Sequence, residues 1–179
     1  MTGPEPHLSE PSGREPTRQG LAALAEDGVV AGVIGAAVVA IWFLILDVAR
    51  GQPFFTPSMV GSVLFLGESV EVASTLNVVM VFAYTGVHGV LFLLAGCVLS
   101  WMVAQVERNP QLGLVLLLLF LLFESVLFGF EVTIVPALVG ALGAFSVAFA
   151  NLFGAVAMFW YLLLRRPEAL ARLRDSWDE

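Results

Sequence analysis

The sequence predicts an all-α protein: a polytopic membrane four-helix bundle with a short extra helix in its outer loop. Three observations carry this prediction. Of 179 residues, 59% are apolar and 13% are charged, where soluble domains have about 45–50% and about 25%. The apolar residues are gathered into long runs. The basic residues are all arginine, and they fall almost wholly on one side of those runs. A soluble globule and a disulfide scaffold are excluded, the latter because Cys97 is the only cysteine. A net charge of −7 argues against nucleic acid as a partner, which needs clustered positive charge.

Residues 1–27 are polar, with Pro4, Pro6, Pro11 and Pro16, and read mostly as a disordered cytoplasmic tail, with a helical option from about Thr17, rather than a secretory signal. Crossing the hydrocarbon layer takes about 20 apolar residues at about 1.5 Å each. Four spans fit, at about 28–46, 77–104, 112–132 and 138–164. The first ends at Asp47, Arg50, Gly51 and Pro53, and the second at Glu107, Arg108, Asn109 and Pro110. The last two share one apolar stretch of 53 residues, 112–164. That is too long for a single crossing, and Glu131, Thr133 and Pro136 mark its turn.

With four spans, Arg14, Arg18, Arg108, Arg165, Arg166, Arg172 and Arg174 share a side, and only Arg50 lies opposite. The positive-inside bias then places both termini in the cytoplasm, in a membrane of the bacterial inner type. Trp101, Trp160 and Tyr161 suit the cytoplasmic interface, and Trp42 the outer one. Residues 165–179 form a second cytoplasmic tail. Leu170, Leu173 and Trp177 lie at helical spacing there, fitting an interfacial helix or a solvated end.

In the outer loop, Thr56–Pro57 reads as an N-cap followed by a first-turn proline. The apolar segment after it, residues 59–66, is too short to span. It reads as a helix on the outer leaflet or a lid over the bundle. Asp47 and Arg50 are close enough in sequence to pair, or else anchor the end of the first span at the interface. Gly28, Gly32, Ala36 and Ala40, and likewise Gly140, Ala144 and Ala148, followed by Ala150 and Gly154, place small residues at a spacing that permits close helix contact in lipid. Phe145, Phe149 and Phe153 form a stripe suited to packing or lipid contact.

Chemistry, if present, belongs to the polar residues inside the membrane, because a charge at the bilayer centre costs about 2.5–3.5 kcal/mol on insertion scales. His88, Glu124 and Asn151 fall near the midplane, with Tyr84 one turn outward of His88 and Glu131 two turns outward of Glu124. This cluster admits three readings. It is a hydrogen-bonded clamp fixing helix register, a proton- or ion-handling site built on His88 and Glu124, or a metal or haem site. For a metal, His88, Glu124 and Glu131 are the candidate ligands. No HxxxH or second membrane histidine supports a metal, and no CxxCH supports a c-type haem, so no cofactor is expected. Glu68 and Glu71 either extend the polar line outward or form a solvated face. No nucleotide loop, GxSxG or HExxH is present. The sequence therefore favours a non-enzymatic structural or accessory subunit of a membrane assembly, with the lipid bilayer and other membrane proteins, or copies of itself, as partners. The alternatives are a small proton- or ion-coupled protein and a metal- or haem-binding redox subunit.

Overall fold

A computed structural model describes residues 16–108, 112–115, 118, 122, 125, 140 and 142–167. Among these residues the fold is all-helical. Helix α1 is Pro16–Ala49 and α2 is Phe55–Gly61, which continues into a π-helical turn, Ser62–Leu66. A 3-10 turn, Val72–Ser74, precedes α3, Val78–Arg108, and α4 is Ala144–Arg165. Helices α1, α3 and α4 are each long and apolar enough to cross a membrane.

Two helix starts bear on the sequence expectation. Helix α1 begins at Pro16, beside the helical start read near Thr17 within the N-terminal tail. Proline fits there because the first turn of a helix needs no N–H from it. Helix α4 begins at Ala144, after Gly143 at φ 81°. The third expected span, about 112–132, lies largely outside the described residues.

Helix α1 is the centre of the bundle. Along α3 its contacts pair the Leu24 carbonyl with Ser100, Gly28 with Cys97, Gly32 with Phe92 and Leu93, and the Ala36 carbonyl with His88. Residue numbers rise on one helix as they fall on the other, so the two are antiparallel. Along α4, Asp27 meets Arg165, Gly35 meets Met158, Val39 meets Gly154, and Trp42 meets Phe149 and Phe153. That pair is also antiparallel. Helices α3 and α4 therefore run in the same direction, on adjacent faces of α1, and meet around Phe92, Val103, Met158 and Leu162.

Glycine sets the α1–α3 distance. A Cβ on Gly28 would lie 2.6 Å from the Cys97 Cα, and one on Gly32 would strike the Phe92 carbonyl oxygen and come within 2.7 Å of the Leu93 Cα. On α3, a Cβ on Gly96 would strike the Gly28 carbonyl oxygen. Backbone lies against backbone here, the contact small residues allow in lipid. The spacing read from sequence holds for Gly28 and Gly32, while Ala40 is exposed. The packed residues of α1 are Gly28, Ala31, Gly32, Gly35 and Val39, because α1 must serve two neighbours. On α4 the packed stripe is Ala150, Gly154, Met158 and Leu162, whereas Ala144 and Ala148 are exposed. Of the small residues read on this span, Ala150 and Gly154 thus make the contact, and Ala144 and Ala148 do not.

The loop segment closes one end of the bundle. Met59, Val60, Ala73 and Leu142 form a small core joined by Phe43, Tyr84 and Val147 from α1, α3 and α4. The α2 segment is thus tucked over the ends of all three long helices, as the lid reading expects. Thr56 is not its N-cap. The helix starts at Phe55, and the residue before it, Phe54, is left-handed at φ 65° with no capping side chain. Asp47, wholly buried at the end of α1, takes that role. Its Oδ2 accepts the Thr56 N–H at 2.7 Å and its Oδ1 accepts the Thr56 hydroxyl at 2.8 Å. With both oxygens so engaged Asp47 makes no ion pair with Arg50, which is exposed.

Crowding of this kind leads to a prediction. Gly32→Val and Gly96→Val each lower stability by about 1–3 kcal/mol or more through overpacking, whereas Gly86→Ala, which has open space around it, does not. Thermal unfolding in detergent followed by circular dichroism ranks the three variants.

Candidate functional site

The polar residues within the spans are set by the same helix register. His88 lies on the α3 face turned toward α1, and its Nε2 is 3.3 Å from the Ala36 carbonyl oxygen. A carbonyl can only accept, so Nε2 carries the proton. The ring is half-buried and lies between Tyr84, at a centroid distance of 5.6 Å, and Phe92, at 4.7 Å. Three rings at i, i+4 and i+8 thus form a ladder along α3. Ala36 lies nine residues from Asp27 and eleven from Asp47, which puts His88 near the middle of the apolar layer.

Asn151 is half-buried on α4 and makes no side-chain hydrogen bond to His88. Val39 faces Gly154, so Asn151 lies closer to the α2 end of the bundle than His88 does, by roughly 9 Å at the helical rise. Glu124 and Glu131 lie outside the described residues. Glu71 is exposed, and its own backbone N–H and the Ser69 hydroxyl hold its carboxyl below the ordinary carboxylate range. The Glu68 N–H bonds back to the Ser62 carbonyl at 3.4 Å. Among the described residues, no group of three metal-ligating side chains comes together.

Sequence reasoning passes over two polar joints. Ser100 is wholly buried and donates to the Leu24 carbonyl at 2.9 Å, crossing from α3 to α1. Asp27 is buried where α1's apolar run begins, at the end of the bundle opposite α2. Its Oδ1 accepts from Arg165 Nε at 3.1 Å and its Oδ2 from Arg166 at 3.3 Å. Arg166 is 14% exposed and Arg165 is 55% exposed, so the two pairs differ in solvent screening. The clue lies in the acid that ends α1's polar stretch and the paired arginines that end α4. Sequence alone cannot bring them together without the α1–α4 register.

The aromatic stripe on α4 is shared between packing and lipid. Phe149 and Phe153 lie against Trp42, with centroids at 6.5 and 5.5 Å, while Phe145 is exposed. Trp42 is therefore more of a packing residue than an interfacial anchor. Trp101 and Trp160 are exposed toward the end that carries Arg165 and Arg166, where an aromatic belt is expected.

Comparison with protein-family models, curated proteins and solved structures returned no match. The bonding pattern is the available guide to function. Each cross-helix hydrogen bond above runs from a side chain to a backbone group or a charged partner on another element, and so locks one helix against the next.

For the ion pairs the exposures set an order. Asp27→Ala costs about 3 kcal/mol, since it leaves the largely covered Arg166 without this counter-charge. Arg165→Gln costs less than about 1 kcal/mol, as for other solvated pairs. Unfolding midpoints of the two purified variants should separate in that order.

Proposed function

We propose that this chain is a four-span, non-catalytic integral membrane protein that serves as a structural or accessory subunit of a membrane assembly, with both termini in the cytoplasm. The use of its intramembrane polar groups carries this reading. Ser100 and His88 hold α3 to backbone carbonyls of α1, and Asp27 holds α1 to the end of α4. Groups bound in this way act as interhelical glue. Meanwhile Val79, Phe82, Val90, Leu91, Leu94 and Val98 leave a broad apolar face on α3 open to lipid or to another subunit.

The fourth crossing is supported by direction. Helices α3 and α4 are parallel, so the 35 residues from 109 to 143 have to bring the chain from the Arg108 end of α3 to the opposite end of the bundle, where Leu142 joins the core under α2. The arginine bias orients the whole. Reporter fusions test this arrangement. A reporter active only in the cytoplasm should work at either terminus, and one active only outside should fail at both. Termini on opposite faces would overturn it. The accessory role is tested by native mass spectrometry from mild detergent, where a defined larger assembly is expected and a lone monomer argues against it.

A second reading, a small proton- or ion-coupled protein using His88 and Glu124, is favoured by the position of the His88 ring in mid-layer beneath Tyr84. In proteoliposomes, a proton or cation flux abolished by His88→Gln and Glu124→Gln but kept in Ser100→Ala would establish it. No flux in any of them leaves His88 as a clamp. A metal- or haem-binding role is decided by the absorption spectrum and metal content of protein purified without chelators.

A further inference from the structure

The segment Phe55–Leu66 is bounded by left-handed backbone on both sides. Gly51 (φ 72°) and Phe54 (φ 65°) precede it, and Gly67 (φ 68°) follows it. These sharp turns let the segment leave α1 and return toward α3 independently of either helix. Its first half is held by two sets of polar bonds. Thr56 gives two hydrogen bonds to Asp47, as described above. The Ser58 hydroxyl oxygen accepts the Asn77 N–H at 2.7 Å, and the hydroxyl donates to the Thr75 carbonyl at 3.3 Å. Its last three residues, Leu64, Phe65 and Leu66, are exposed. The segment is thus fastened on its α1 side and at the start of α3, while its far end stands clear of the bundle.

What lies beneath it is specific. Met59 and Val60 are buried in the core that includes Tyr84. From Tyr84 the ring ladder descends through His88 to Phe92. The closed segment therefore sits on one end of a line of polar and aromatic side chains that reaches the middle of the apolar layer. We propose that Phe55–Leu66 is a lid, latched through Asp47 and Ser58, whose opening admits the aqueous phase on that side to Tyr84 and His88. The lid is independent of the accessory role and would exist whether His88 clamps helices or handles protons.

The experiment uses the full chain in nanodiscs. Tyr84→Cys is placed in a Cys97→Ser background and its reaction with a membrane-impermeant maleimide is timed. Reaction should be slow with both latches intact. Thr56→Val should speed it by about tenfold, the change expected for losing a hydrogen bond to a charged acceptor. Ser58→Ala should speed it independently, and the pair together should exceed either alone. Ser100→Cys, at the other end of α3, is the control and should not respond to the latch variants. Fast labelling at position 84 with intact latches shows that end of the bundle already open and overturns the lid. So does a rate unmoved by both latch variants, or one that rises equally at the control. If Thr56→Val does not fold, Ser58→Ala alone makes the same comparison.

Discussion

The close approach of α1 and α3 at Gly28, Gly32 and Gly96 governs the rest of the bundle. In lipid, burying apolar side chains gives little drive for association, so helices hold together by packing and by hydrogen bonds. Both depend on distance. Because backbone meets backbone at these glycines, the carbonyls of Leu24 and Ala36 come within reach of side chains as short as Ser100 and as rigid as His88. Helical carbonyls already accept bonds within their own helix, and their second lone pair is what these donors use. The polar joints are therefore a consequence of the glycine contact. A larger residue at Gly32 or Gly96 would part the helices, and the two donors would lose their acceptors in a medium that offers no water in exchange.

The same helix sets the thickness of the apolar layer. Between Asp27 and Asp47 α1 carries no charge, and about twenty residues of helix span about 30 Å, the thickness of the hydrocarbon core of a bilayer. Each acid is buried, and each is satisfied by a different device. At one end Asp27 takes two guanidinium groups from the last residues of α4. At the other Asp47 takes an N–H and a hydroxyl from the lid. An ionised group at the edge of a membrane needs such partners, because burial without them is costly. Together the two acids hold α1 in register with α4 at one end and with the lid at the other.

Much of this is legible in the sequence, and the limits of legibility have physical causes. Three of the long helices follow from apolar run length alone, since lipid leaves a backbone few choices other than helix. The lid helix follows from an apolar run too short to cross, although the Thr56–Pro57 signal puts its start late, with the cap at Thr56 rather than at Phe54 before Phe55. The faces are harder. Four-residue spacing singles out Gly28, Gly32 and Ala36 along α3, but it groups the exposed Ala40 with them as though α1 had one neighbour. With α3 and α4 on adjacent faces of α1, the packed stripe widens to include Gly35 and Val39. On α4 the small residues Ala144 and Ala148 are exposed, because the α1 contact falls at Ala150 and Gly154. For Asp47, proximity along the chain suggests Arg50, three residues away. Its real partner, Thr56, is nine residues away and reaches it only because the left-handed Phe54 turns the chain back. Local spacing finds helix neighbours; it does not find contacts made across a reversal of the chain.

That reversal explains why Asp47 and the lid belong together energetically. At the end of α1 a carboxylate faces the negative end of that helix's dipole, an unfavourable position for an acid. The first turn of α2 offers the opposite environment: an N–H that no carbonyl in its own helix can take, beside a hydroxyl on the same residue. By folding α2 back onto it, the chain turns a poorly placed acid on one helix into the cap of the next. Three helix ends meet at this level, the end of α1 and the beginnings of α3 and α4, because α3 and α4 share a direction. The lid touches all of them, through Asp47, Asn77 and the core around Leu142. Its closed position therefore depends on the mutual placement of the three long helices, and a shift of α3 or α4 against α1 would act first on the bonds at Asp47 and Ser58.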